Sequence, residues 1–125
     1  MSNLVLSKNA LAGAAIGQYL FVKHGTADDV MLQAAAGTDL IIGSSQDVSP
    51  AQGERFDVAV CGIGFITAGA AIPRGSRLMS DANGRAIVAA AAAGSNVFTG
   101  GVAMEAATAA GDVIRYNIVP GTFQG

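Results

Sequence analysis

Apolar and polar side chains alternate with a period of two over residues 55–60 (Arg-Phe-Asp-Val-Ala-Val) and 113–118 (Val-Ile-Arg-Tyr-Asn-Ile), and residues 19–23 bring aromatic and β-branched types together. A strand whose two faces meet core and water has this pattern, so the three segments read as half-buried strands. Shorter candidates occupy residues 30–34, 40–44, 63–67, 77–80, 85–89 and 97–105. Turn chemistry separates most of them: Pro73-Arg74-Gly75 pre-sets a bend, and Asp81-Ala82-Asn83-Gly84 supplies an Asn-Gly pair that tolerates positive φ. The pattern predicts an all-β fold, a small single-domain barrel or sandwich of about nine short strands.

The phase of the large apolar residues changes near Gly62. Phe56, Val58 and Val60 are even, Ile63 and Phe65 odd, so a bulge or bend at Cys61 and Gly62 is expected to flip the buried face. Two segments also resemble one another. Ala36-Gly37-Thr38-Asp39-Leu40 leads to Gly43 and then Gly53-Glu54; Ala93-Gly94-Ser95-Asn96-Val97 leads to Gly100 and then Gly111-Asp112. Residues 36–60 and 93–119 thus read as pseudo-repeats of strand, long loop and returning strand, within one β domain at 17–125 that follows an N-terminal arm at 1–16. Two copies are too few for a solenoid. The loops at 45–53 and 106–111 would lie in equivalent places. Residues 89–93 and 105–110 are Ala-rich runs that could instead close as single helical turns ended by Gly94 and Gly111.

Composition alters this picture in one respect. Of 125 residues 25 are Ala and 17 Gly, which suggests helix until the Gly spacing is considered. Each Gly inside a helix costs about 1 kcal/mol relative to Ala, and few Gly-free windows hold three turns. Leu, Ile, Val and Phe supply 32 residues, enough for a core. One Cys and one His exclude an internal disulfide framework and a closed zinc site. Seven Lys and Arg against nine Asp and Glu offer no basic stripe for a phosphate backbone, so direct nucleic-acid binding is not expected. No apolar run is long enough to span a bilayer, and residues 10–16 are too short and too poorly flanked for a signal peptide, so a soluble chain is expected.

Catalytic chemistry is equally sparse. His24 with Asp28 and Asp29 is the one cluster with acid/base or metal-binding types, and it reads as a polar surface turn rather than a preorganised site. Cys61 reads as a small buried side chain. Gly62-Ile63-Gly64 and Gly100-Gly101 do not extend to a nucleotide-binding motif, and no Lys sits at a hairpin tip as in a biotinyl carrier. The expectation is a non-enzyme without cofactor or metal, acting through its surface. The first surface candidate is the arm, with Leu4, Val5, Leu6, Leu11 and Ile16. It is either a strand that completes the sheet or an extended segment that orders against a partner.

The string YLFVKHG at 19–25, AGTDLIIGSS with its later GERFDVAV, the hairpin PRGSRLMSDANGRAIVAAAAAG, and the closing GGVAMEAATAAGDVIRYNIVPG together resemble the capsid decoration, or cement, proteins of tailed bacteriophages. The resemblance covers about residues 17–121. It implies a compact β domain made in the host bacterial cytoplasm and placed on the outer capsid surface of the virion. Its partner there would be the major capsid protein, and homo-oligomers, trimers among them, are implied as well. No site residues transfer, because such contacts are surface patches. The chosen contact residues are Leu4, Leu6 and Leu11, with the two Gly-ended loops second. Another virion component, such as a tail or collar adaptor, or a small ligand-binding β domain, remain the alternative readings.

Overall fold

A computed structural model of the chain describes residues 3–91 and 93–124, with side chains described from Ser7 onward. It is all β. Among the described residues nine strands follow one another: β1 (Asn3–Ala12), β2 (Phe21–His24), β3 (Val30–Gln33), β4 (Ile41–Ser45), β5 (Arg55–Thr67), β6 (Arg77–Ser80), β7 (Ala86–Val88), β8 (Asn96–Ala103) and β9 (Val113–Gln124). They form one sheet in the order β1-β3-β2-β4-β5-β9-β8-β6-β7, and β1 also pairs with β5, which closes the first five strands into a barrel. Closure removes the open edges that a five-stranded sheet would otherwise expose.

The remaining strands repeat this plan on the far half of β5. There β5 pairs with β9, β9 with β8, β8 with β6 and β6 with β7, and a parallel bridge from Ala68 to Ala86 returns β7 to the end of β5. The first barrel makes the same return through the parallel pairing of Ala12 with Met31. β5 is therefore shared, its start belonging to the barrel and its end to a second five-stranded ring.

Backbone hydrogen bonds match between the two rings. Ala12 N–H donates to Glu54 O and Ala12 O accepts from Gly53; Ala68 N–H donates to Asp112 O and Ala68 O accepts from Gly111. The strand registers agree as well: Lys8 faces Val58 and Ala10 faces Phe56, while Gly64 faces Tyr116 and Ile66 faces Ile114. The pentapeptide Ala-Gly-Ala-Ala-Ile stands at both 12–16 and 68–72, and each ends in a buried Ile, Ile16 and Ile72.

Each ring has its own apolar filling. Ala10, Ala12, Ile16, Val22, Met31, Phe56 and Val58 fill the barrel. The second cluster joins Ile66, Leu78, Ile114, Tyr116 and Ile118 to Phe21 and Ile41 of the barrel, so the two rings share a packed boundary. Burying side chains of this size contributes about 1.5–3 kcal/mol each before chain entropy is counted.

Several sequence expectations change. Tyr19 lies outside β2 in a turn with φ of 53°, and residues 105–110 and the described part of 89–93 contain no helix. The buried face of β5 does not flip: Phe56, Val58, Gly64 and Ile66 are all buried and all even. The irregularity near Gly62 is real, with register shifts against β1 around Leu6 and a Gly62 φ of 94°. It lets β5 pass from one ring to the other without changing its inward side. Phe65 is half-buried on the opposite side, edge-to-face with Tyr19 at 5.9 Å between ring centroids.

Candidate functional site

Residues 3–12 of the arm form β1, paired antiparallel with β5 from Asn3 opposite Ile63 to Leu11 opposite Arg55. Leu4 and Leu6 lie on its first half, opposite Gly62 and Cys61; their side chains are outside the described residues. Leu11 is half-buried near the other end.

The two Gly-ended loops are built alike and closed by the acid that follows the Gly. Glu54 Oε1 accepts from the Ala51 N–H at 2.7 Å. Asp112 Oδ2 accepts from the Thr108 N–H at 2.9 Å, the Thr108 hydroxyl at 3.0 Å and the Ala109 N–H at 3.2 Å. The loops do not share a surface. The first precedes Arg55 at the start of β5, whereas the second precedes Val113, which pairs with Thr67 at the other end of β5. Val48 is exposed on the first loop; Met104 and Val113 are exposed beside the second.

The Thr108 N–H, the Thr108 hydroxyl and the Ala109 N–H hold the Asp112 carboxyl below its ordinary value of 3.8. A depressed folded-state value stabilises the fold above the unfolded value, and that contribution is lost as pH falls through the folded one. Asp112→Ala is therefore expected to lower the melting temperature at pH 7. The difference from the parent should shrink as pH falls through the range in which the Asp112 carboxylate of the folded parent takes up its proton; a difference that stays constant across an acid melting series would show that the loop is not closed by this carboxylate.

His24 is exposed at the end of β2, with Asp28 and Asp29 exposed in the turn that follows. Asp29 is engaged elsewhere: its Oδ1 pairs with Lys8 Nζ at 2.6 Å, and its carbonyl accepts the Leu11 N–H. No group of three or more His, Cys, Asp or Glu suited to hold a metal ion occurs among the described residues. Cys61 is exposed, contrary to the expected burial, although Ala59, two residues earlier on the same side of β5, is fully buried.

The chemically distinctive buried group is a polar one that sequence reading did not single out. Tyr116 is fully buried at the boundary of the rings, edge-to-face with Phe21 at 5.7 Å between centroids, and its hydroxyl donates to Ser44 Oγ at 2.6 Å. Ser44 Oγ also accepts from Gln46 Nε2 at 3.0 Å. Burial pushes the Tyr116 phenol well above its ordinary value of 10.0, partly opposed by the Ser44 hydrogen bond, so it stays neutral and serves packing.

Comparison with known proteins adds to these observations. A family model described as phage cement protein matches residues 12–118. Among curated proteins no match is found. Among solved structures the fold is similar to the head fiber gp8.5 N base in bacteriophage phi29, with a TM-score of 0.69 and 19% identity over 91% of this chain and 93% of that one.

Proposed function

The chain belongs to the phage cement protein family, and from that membership we propose that it binds the outer surface of an assembled phage head and ties neighbouring major capsid subunits together. The family match over residues 12–118, which takes in β2 to β8 and the first half of β9, carries this reading, and the likeness in fold to a head fiber base supports a place on the virion surface. A closed barrel fused to a second ring is a stiff body with few open edges. Stiffness suits a part that resists the separation of subunits under internal pressure. Repetition over a lattice then multiplies a modest affinity per copy.

Leu4, Leu6 and Leu11 are the proposed head contacts, with the loops carrying Val48 and Met104 second. Purified protein mixed with expanded, undecorated heads of the phage that encodes it is expected to add stoichiometric density to their outer surface in electron micrographs. Absence of that density overturns the reading. Deleting residues 2–16 is unsuitable as a contact test, because it removes a barrel strand. The triple change Leu4→Ala, Leu6→Ala and Leu11→Ala, scored by head binding alongside the melting temperature, asks the same question with the strand retained.

A further inference from the structure

Five of the seven cationic side chains are already engaged. Lys8, Lys23, Arg85 and Arg115 pair with Asp29, Asp39, Asp81 and Glu105, and Arg55 donates to Asn9. Arg74 and Arg77 have no such partner among the described residues, and both stand exposed about the Pro73–Ser76 turn that opens β6. Charge is also segregated. Residues 3–67 carry six carboxylates against three Lys and Arg, while residues 68–124 carry four Lys and Arg against three carboxylates. The second ring is therefore the part of the surface that attracts an anion.

Arg77 borders a trough of about 190 Å³ on β6, β8 and β9, lined with it by Thr99, Gly101, Val119, Gly121 and Thr122. The trough has a backbone cause: the register of β8 against β9 shifts between Thr99 and Gly101, and Gly121 carries no side chain to fill the gap. Its volume is below that of a typical small-molecule or cofactor pocket and suits one inserted side chain. One cation, two hydroxyl groups and a short apolar wall suit a carboxylate on a short stem. Covering the trough with an apolar partner would bury Arg77 without a counter-ion, which is costly, so the complementary partner brings an acid.

We propose that this trough docks an Asp or Glu side chain of the major capsid protein, with Arg77 as its counter-ion. The proposal rests on the head-binding reading above. Gly121 offers an uncharged way to test it: a Cβ there would meet Thr99 Oγ1 at 3.3 Å, a tight contact with a side-chain tip that a shift of a few tenths of an ångström relieves, so Gly121→Val occupies the trough. Cosedimentation with undecorated heads is expected to show binding weakened about tenfold or more for Arg77→Glu and for Gly121→Val, with melting temperatures close to the parent. Arg77→Lys should recover part of the loss, and binding by the parent should weaken with added salt.

If the parent protein does not bind heads, both the head-binding reading and this proposal fail. If the parent binds and Arg77→Glu binds within twofold of it, only the trough assignment falls. If sedimentation velocity shows that Arg77→Glu dissociates an oligomer of the free protein while head binding per protomer is kept, the trough faces a second copy of this chain, and the capsid assignment is likewise overturned.

Discussion

Gly43→Ala is expected to cost about 3 kcal/mol or more and to lower the melting temperature by roughly 10 °C or more. A Cβ at Gly43 would fall inside contact distance of the Ala59 carbonyl oxygen, with the Val58 side chain at 3.1 Å. A backbone oxygen cannot swing aside as a side-chain tip can. Relief requires β4 to separate from β5, and the pairs between those strands are Ser44 with Ala59 and Ser45 with Val58, immediately next to the clash. Separation there opens the barrel and disturbs the Ser44 hydroxyl that receives Tyr116. Gly101 meets the same obstacle in the second ring, where a Cβ would collide with the Asn117 carbonyl oxygen. Gly53 is the informative control, since it has a φ of 86° with open space around its Cβ position. Gly53→Ala carries only the cost of a left-handed conformation, about 1–2 kcal/mol. Thermal melts of the three variants should rank Gly53→Ala well above the other two. Equal melting temperatures for Gly43→Ala and Gly53→Ala would show that β4 and β5 do not approach so closely.

Tyr116→Ala should be comparably damaging. Removing a large, fully buried aromatic side chain costs about 3–5 kcal/mol, a large part of the 5–15 kcal/mol that holds a typical domain folded. Tyr116→Phe keeps the ring against Phe21 and removes only the hydroxyl that donates to Ser44, for an expected loss of about 1 kcal/mol. The same variant tests the pH dependence. The folded-state value is raised above the ordinary 10.0, so the unfolded chain loses the phenolic proton first, and stability falls as pH rises beyond about 10. The slope from this group approaches 1.4 kcal/mol per pH unit, and it should be missing from Tyr116→Phe when urea unfolding is compared at pH 9 and about pH 11. A parent slope identical to that of Tyr116→Phe would mean that the hydroxyl is wet.

The strand positions were legible because they depend on local rules. Alternation at 55–60 and 113–118 marks the opening halves of β5 and β9, and Asp81–Gly84 forms its turn through the Asp81 carboxylate, which accepts from the N–H groups of Asn83 and Arg85. A further signal lay in plain view, the pentapeptide shared by 12–16 and 68–72. Its meaning did not, since Ala12 and Ala68 matter for the backbone bonds they make to Gly-acid pairs more than forty residues downstream. Cys61 shows the same limit. An apolar neighbourhood in sequence suggested burial, but Cys61 is exposed, two residues beyond the fully buried Ala59 on the same side of β5.

By itself, then, the sequence determined an all-β chain with turns at its Gly, Asp and Asn positions, sparse charge with one His and one Cys, and a cement-like order of segments. Only the tertiary structure decided that the arm closes a barrel, that β5 serves two rings, that the two Gly-ended loops lie at opposite ends of that strand, and that Arg77 stands beside an unfilled trough. The division has one physical cause. Alternation, turn preference and composition act between near neighbours, whereas closure, strand sharing and the trough beside Gly121 arise from pairings across long stretches of chain, set by which registers bury both apolar clusters at once.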